Sequence, residues 1–330
     1  MRQRADLQAG AADTADRSRA RRIFYRAGLP TGLFNVVDGF AETGRLLIRH
    51  PKIQKISLTG SVPMGKAVAA EGAASLKRVS LELGGKSCMI ICEDAEFDSA
   101  VSGAMLGNFY SSGEICSNGT RVFVHRSLYP RFLDTLQVRT SHLIIGDPLD
   151  PATQIGALIS PEHMEKVLAH IRAAEAAGAR LIAVGHRRLD GPFGKGCFVE
   201  PTIFADCLDQ MSIAQAEIFG PVMAVFAFDT EDEVIARANA TPYGLSAAVF
   251  TTDLARTHRI IANLQAGTCW TNHYSITPVE LPFGGMKQSG YGRENNHAAI
   301  ESYTQIIERL RGPDAGRAAV LAPSLEHAKG

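Results

Sequence analysis

The chain has 330 residues, with 34 Lys+Arg balanced by 34 Asp+Glu, 45% hydrophobic residues and 21% charged residues. These values suit a folded chain of about two domains and exclude disordered, collagen-like and disulfide-scaffold classes. Zero net charge argues against a dedicated nucleic-acid binder, and no run reaches the roughly 18 apolar residues of a membrane span.

Residues 1–22 are rich in Arg, Ala and Asp. They hold no apolar core for a secretory signal, and Asp6, Asp13 and Asp16 count against a transit peptide. A poorly ordered tail is expected there. From Ile23 on, short apolar runs alternate with amphipathic stretches. Leu33–Val37, Lys55–Leu58 and Lys77–Leu83 read as strands, with helices near Ala41–Arg49 and over Met64–Ala74 between them. Strand, helix, strand, helix, strand implies a parallel sheet with crossover helices. A further unit starts with a strand at Cys88–Cys92 and a helix from Phe97 to Phe109. Later strand candidates are Thr120–His125, Arg180–Val184, Val222–Phe228 and Ala247–Phe250; Pro161–Ala177 and Glu231–Ala240 read as helices.

The six cysteines, Cys88, Cys92, Cys116, Cys197, Cys207 and Cys269, are dispersed, with no C-x-x-C and no zinc spacing. That pattern fits reduced thiols and a cytoplasmic location. Cys88 and Cys92 read as buried strand residues, while Cys197 and Cys207 flank an expected hairpin or loop. Cys116 lies among small, turn-forming residues, Ser111 to Gly119, which presents its thiol on a loop. An ordinary thiol is only a few per cent ionised at neutral pH, so a nucleophile there needs a nearby base. Turn N–H groups could hold an oxyanion. Glu82 ends an apolar strand before Gly84-Gly85, at the edge where ligands bind in parallel sheets. Partial burial would raise its pKa toward that of a general base; a solvated strand-end charge is the other reading. The loop Thr59–Lys66 joins a strand to a helix, where Gly60 and Ser61 suit a phosphate at a helix N-terminus. It matches neither G-x-G-x-x-G nor the P-loop, and a capped turn explains it as well.

Taken together these blocks resemble the aldehyde dehydrogenase superfamily. Ala27-Gly28-Leu29-Pro30 with Asn35-Val36-Val37, Leu58-Thr59-Gly60-Ser61 and Leu81–Lys86 (LELGGK) match in order. So do Gly113–Thr120 (GEICSNGT), Glu217–Val222 (EIFGPV), Tyr243–Ser246 (YGLS) and Pro282–Gly292 (PFGGMKQSGYG). The resemblance runs from about Ile23 to Ile306 and implies an α/β fold with a partial Rossmann-type nucleotide domain and an α/β catalytic domain built on a parallel sheet. Its implied division is 1–22 divergent tail, 23–84 remnant of the NAD-binding domain, 85–275 catalytic domain, 276–306 return to the cleft and 307–330 divergent tail.

By this resemblance Cys116 would attack an aldehyde to give a thiohemiacetal, hydride would pass to NAD, and Glu82 would activate water to hydrolyse the thioester. Gly60, Ser61, Val62 and Pro63 would lie at the phosphates and Gly84 near the nicotinamide. Glu217 would accept bonds from its ribose, beside Phe219. NADP stays open as the cofactor. Gly267-Thr268-Cys269-Trp270 with Glu217–Ala224 looks most like the betaine-aldehyde branch, whose substrate carries a quaternary ammonium that aromatic faces attract. Tyr110, Trp270, Tyr274 and Phe283 are the implied wall, with ordinary core or tunnel lining as the other reading for each. The branch also implies a potassium ion on the carbonyls of Leu76, Lys287 and Gly290, and a proton relay at Glu294.

Departures from the family pattern set the remaining expectations. The family's Pro-Trp-Asn oxyanion segment and Lys-Pro-Ser-Glu ribose segment find no match before Ile23, and Glu308–Gly330 lacks the alternation of the family's pairing strand. Losing one oxyanion donor costs about 10²–10³ in rate, so impaired turnover and lost oligomer pairing are expected. The competing classes are a non-catalytic fragment or inert subunit, and a cofactor-free cysteine esterase.

Overall fold

The computed structural model describes residues 5–9 and 14–309. It begins with a βαβ unit: β1 (Ala5–Ala9) and β2 (Phe34–Asp38) pair in parallel across helix α1 (Thr14–Arg26). The tail expected over 1–22 therefore differs in its described part. Ala and Arg are strong helix formers, and the Ala/Arg-rich run extends the helix of Ile23–Arg26 back to Thr14. Of the expected tail at 307–330, residues 310–330 lie outside the described residues.

Helix α2 (Ala41–Arg49) leads to β3 (Lys55–Gly60), α3 (Val62–Ala73) and β4 (Arg78–Leu83). β3 and β4 run parallel, register Gly60 to Leu83. The helix lies tight on the sheet because Gly65 faces Leu83; a Cβ there would sit 2.5 Å from the Leu83 side chain.

The larger layer contains β5 (Cys88–Ile91), α4 (Phe97–Phe109), β6 (Arg121–His125), α5 (Tyr129–Ser141), α6 (Pro161–Ala176), β7 (Arg180–Val184), β8 (Thr202–Ala205), α7 (Ser212–Gln215) and β9 (Val222–Phe228). It continues through α8 (Glu231–Asn239), β10 (Tyr243–Gly244), β11 (Ser246–Phe250), α9 (Leu254–Asn263) and β12 (Thr268–Thr271). Its seven strands take the order β12-β11-β5-β6-β9-β8-β7, parallel except at β7–β8. The stretch between Cys197 and Cys207, expected as a hairpin or loop, holds the buried strand β8, which pairs antiparallel with β7. Alternation along β5 sends Cys88, Ile90 and Cys92 to a core shared with α6, α8 and α9. Met89 and Ile91 face the opposite core, under α4 and α5.

The chain then returns. β13 (Met286–Lys287) pairs with β10, β14 (Gly290–Tyr291) pairs antiparallel with β4, and α10 (Asn296–Tyr303) closes the described part. The C-terminal edge of the β3–β4 layer thereby meets the N-terminal edge of the seven-stranded sheet. Among the described residues no helix is long and apolar enough to cross a membrane.

Candidate active site

Glu82 sits opposite Gly290 in the β4–β14 ladder, and its side chain is 7% exposed. Neither carboxylate oxygen finds a hydrogen-bond partner. An unpartnered buried carboxylate favours its neutral form. Burial accordingly lifts Glu82 from the ordinary 4.5 to about 7, Glu294 pushes it the same way, and Arg293 opposes the rise. Gly284 leaves the space in front of it open: a Cβ there would lie 2.7 Å from Glu82 Oε1.

Cys116 is carried by the loop between α4 and β6. Ser111 and Ser112 take left-handed backbone conformations, and Gly113 follows at φ 78°. Gly113 is required on packing grounds as well, since a Cβ would overlap the Gly220 carbonyl at 2.2 Å. Buried polar groups then fix the loop. Asn118 Nδ2 donates to the Gly113 carbonyl at 3.0 Å. Tyr274 OH and Ser246 Oγ both donate to the Ser117 carbonyl, at 2.7 and 2.9 Å. Burial pushes the Cys116 thiol up, the charges of Glu217 and Glu82 push it further, and the N–H groups of Cys116 and Ser117 act the other way. The resting group is a neutral thiol with two turn N–H groups beside it, the surroundings in which an oxyanion can be held.

The segment after Glu82 joins the two halves. A Cβ on Gly85 would come within 2.9 Å of the Cys116 carbonyl, and one on Gly84 within 1.8 Å of Glu217 Oε2. Gly85 N–H donates to Glu217 Oε1 at 3.2 Å. Ser289 Oγ donates to the Gly84 carbonyl at 2.8 Å. The strand-end carboxyl, the thiol loop and Glu217 are thus brought into one cleft. Burial raises the Glu217 carboxyl, against the Gly85 N–H and Lys86. Lys86 itself is 1% exposed with no partner for its Nζ, and burial lowers it to about 7.

Gly60 ends β3 beside Leu83, and Ser61 caps α3 by accepting from Met64 N at 3.4 Å, with Pro63 in the first turn. Ser61 makes the helix cap that its position allowed, and Gly60 to Pro63 form a helix N-terminus at the same sheet edge as Gly84. Phe219 stands at φ 58° with its ring 6.0 Å from that of His163. Glu294 forms a bridge with Phe283 through paired backbone bonds of 2.9 and 2.8 Å. Its carboxylate accepts from Ser57 Oγ at 2.7 Å and from Tyr303 OH at 2.8 Å.

The residues expected for the aromatic wall and for potassium fall on separate elements. The aromatic wall is divided: Trp270 and Tyr274 pack into the core, ring centroids 4.6 Å apart, with Trp270 Nε1 donating to the Ile276 carbonyl. Tyr110 is 60% exposed and Phe283 half-buried. The residues expected to offer carbonyls to potassium lie on three segments: Leu76 before β4, Lys287 on β13 and Gly290 on β14. Gly290 pairs with Glu82, and Leu76 stands at φ 53° in the turn before β4. Lys287 instead pairs with Tyr243 and ties its Nζ to the Asn239 and Thr241 carbonyls. Sequence reasoning missed Lys86, Ser246 and Ser289 as supports of the cleft, although Lys86, Ser246 and Ser289 stand inside blocks it singled out. It also missed His163 and Asn118; only Asn118 lay in such a block.

The Aldehyde dehydrogenase family model matches residues 17–308. The chain is 57% identical over 284 residues to the betaine aldehyde dehydrogenase of Rhizobium leguminosarum bv. trifolii, covering 86% of this chain and 58% of that protein. The betaine aldehyde dehydrogenase of Agrobacterium fabrum gives 57% identity over 284 residues, 86% of this chain and 57% of that one. Among solved structures, the NAD+ complex of aldehyde dehydrogenase from Bacillus cereus aligns with a TM-score of 0.89 at 40% identity, over 92% of this chain and 61% of that one. The NAD-dependent aldehyde dehydrogenase of Sinorhizobium meliloti aligns with a TM-score of 0.89 at 37% identity, over 92% and 60%. The chain thus spans about 58% of the length of the curated relatives it matches. Fold, cleft and kinship agree: the chain belongs to the aldehyde dehydrogenase family.

Proposed function

We propose that this cleft serves the oxidation of an aldehyde to a carboxylic acid through a covalent bond to Cys116, with a nicotinamide dinucleotide as oxidant and betaine aldehyde as substrate. The observation that carries the reading is the orphaned Glu82 carboxyl at the edge of a cleft shared with a loop-borne thiol. Glu82 takes the proton of the Cys116 thiol, and the sulfur adds to the aldehyde carbon, giving a thiohemiacetal oxyanion that the turn N–H groups stabilise. Loss of hydride from that carbon leaves a thioester. Glu82 removes a proton from water, the hydroxide adds to the thioester, and the acid leaves as the sulfur recovers a proton.

The residues present fit a dinucleotide. Gly84 is a position where a Cβ would fill the space beside Glu217, and the N-terminus of α3 faces the same edge. Glu217 and Phe219 would hold the ribose next to the reacting carbon, and Gly60 to Pro63 would meet the phosphates. When bound, the nicotinamide supplies the hydride acceptor. Glu294, held by Ser57 and Tyr303 and felt by Glu82, suits the role of passing the Glu82 proton outward. The betaine-aldehyde reading is supported by the identity to the rhizobial and agrobacterial relatives and by the accessible rings of Tyr110 and Phe283, which a quaternary ammonium can contact. A cytoplasmic location is supported by six free cysteines.

The test is NADH formation by the purified chain with betaine aldehyde and with an uncharged aldehyde of the same size. The reading expects NADH with a preference for the cation and none from Cys116→Ser. No NADH from either aldehyde would favour an inert member of the family, and ester cleavage without NAD would favour a simple thiol hydrolase.

A further inference from the structure

His163 lies in the first turn of α6, the helix capped by Ser160, whose Oγ accepts from His163 N. Its Nε2 is 2.6 Å from the Phe219 carbonyl oxygen. A carbonyl only accepts, so Nε2 carries the proton and donates. The same Nε2 is 3.6 Å from Glu114 Oε1. Glu114 in turn accepts from the Ile159 N–H at 3.1 Å, docking the loop two residues before Cys116 against the start of α6. The two loops also touch through backbone at Gly113 and Gly220, and Gly220 rests on Val167 of α6. Phe219 holds a left-handed conformation at φ 58°, which a residue with a Cβ keeps only where neighbours enforce it.

We propose that His163 is a positioning residue that latches the thiol-bearing loop to the loop carrying Glu217 and Phe219. Its Nε2 bonds the Phe219 carbonyl while the same ring edge lies 3.6 Å from Glu114 Oε1, so the sulfur and the cofactor-facing carboxylate keep one spacing. The proposal rests on the reading of Cys116 and Glu217 given above. Its test has one readout that needs no cofactor.

Amide hydrogen exchange is measured on loops 113–119 and 217–221, with β9 as internal reference, in the unliganded chain and in two variants. His163→Phe keeps a ring against Phe219 and removes the donor. His163→Gln keeps an N–H donor near the position of Nε2. Losing the bond to the Phe219 carbonyl should speed exchange of both loops about tenfold in His163→Phe, with β9 unchanged and His163→Gln close to the parent. NAD affinity should fall about tenfold in His163→Phe and return in His163→Gln. Unchanged loop exchange in His163→Phe, equal acceleration of β9, or failure of Gln to rescue would each overturn the latch. A parent chain that binds no NAD would refute the proposed function while the exchange data still decide the latch.

Discussion

Glu82→Gln separates the charge of the carboxyl from its shape, because glutamine matches the protonated acid in size and cannot ionise. In the folded chain Glu82 keeps its proton up to about 7, against the ordinary 4.5 of an unfolded chain. Between those values the folded state binds more protons than the unfolded state, so stability falls as pH rises. The interval is worth about 1.4 kcal/mol per pH unit, giving about 3 kcal/mol in all. The parent has its full stability below the unfolded value and loses this amount by the time pH passes the folded value. Glu82→Gln loses none of it. Urea unfolding of both proteins should give nearly equal stability at about pH 4.5 and a variant more stable by about 3 kcal/mol at about pH 8.5. Turnover should vanish in the same variant, the trade expected where a base is kept buried and unpaired. A stability difference that stays flat across this range, or that reverses sign, would show that Glu82 is solvated or paired and would refute the reasoning.

Three further outcomes follow from the same geometry. Alkylation of Cys116 by iodoacetamide, followed on its peptide by mass spectrometry, should keep accelerating above about pH 9 because burial and two carboxylates hold the thiol up; at fixed alkaline pH Glu82→Gln should react faster than the parent. Gly84→Ala places a methyl 1.8 Å from Glu217 Oε2, so the carboxylate must move and lose its bond to Gly85; NAD titration should show affinity weakened by at least about tenfold, the equivalent of one lost charged hydrogen bond. Tyr274→Phe removes the donor to the Ser117 carbonyl and leaves Ser246 as its remaining side-chain donor; denaturant unfolding should show a loss of about 1 kcal/mol, and alkylation of Cys116 should change in rate.

The elements with a clear period were legible from residues alone. The helix Phe97–Phe109 and the strands Arg180–Val184 and Val222–Phe228 have the bounds read from the sequence. The strand Thr202–Ala205 was not: it shows no alternation because both its faces are covered. The thiol loop and Glu82 were visible because small residues and glycines cluster where backbone must approach backbone, as Gly113, Gly84 and Gly85 do. The burial of Trp270 and Tyr274 depends on the loop after β12 folding over them, which no local pattern states. His163 was invisible for a similar reason, since the carbonyl it holds is 56 residues away along the chain.

The central claim is that Cys116 forms the covalent bond and Glu82 releases it. The direct measurement is peptide mass spectrometry of Glu82→Gln after incubation with betaine aldehyde and NAD. The account predicts an acyl adduct on the Cys116 peptide that requires NAD and is absent from Cys116→Ser. An adduct on another cysteine, or none on a variant whose Cys116 still reacts with iodoacetamide, would contradict it.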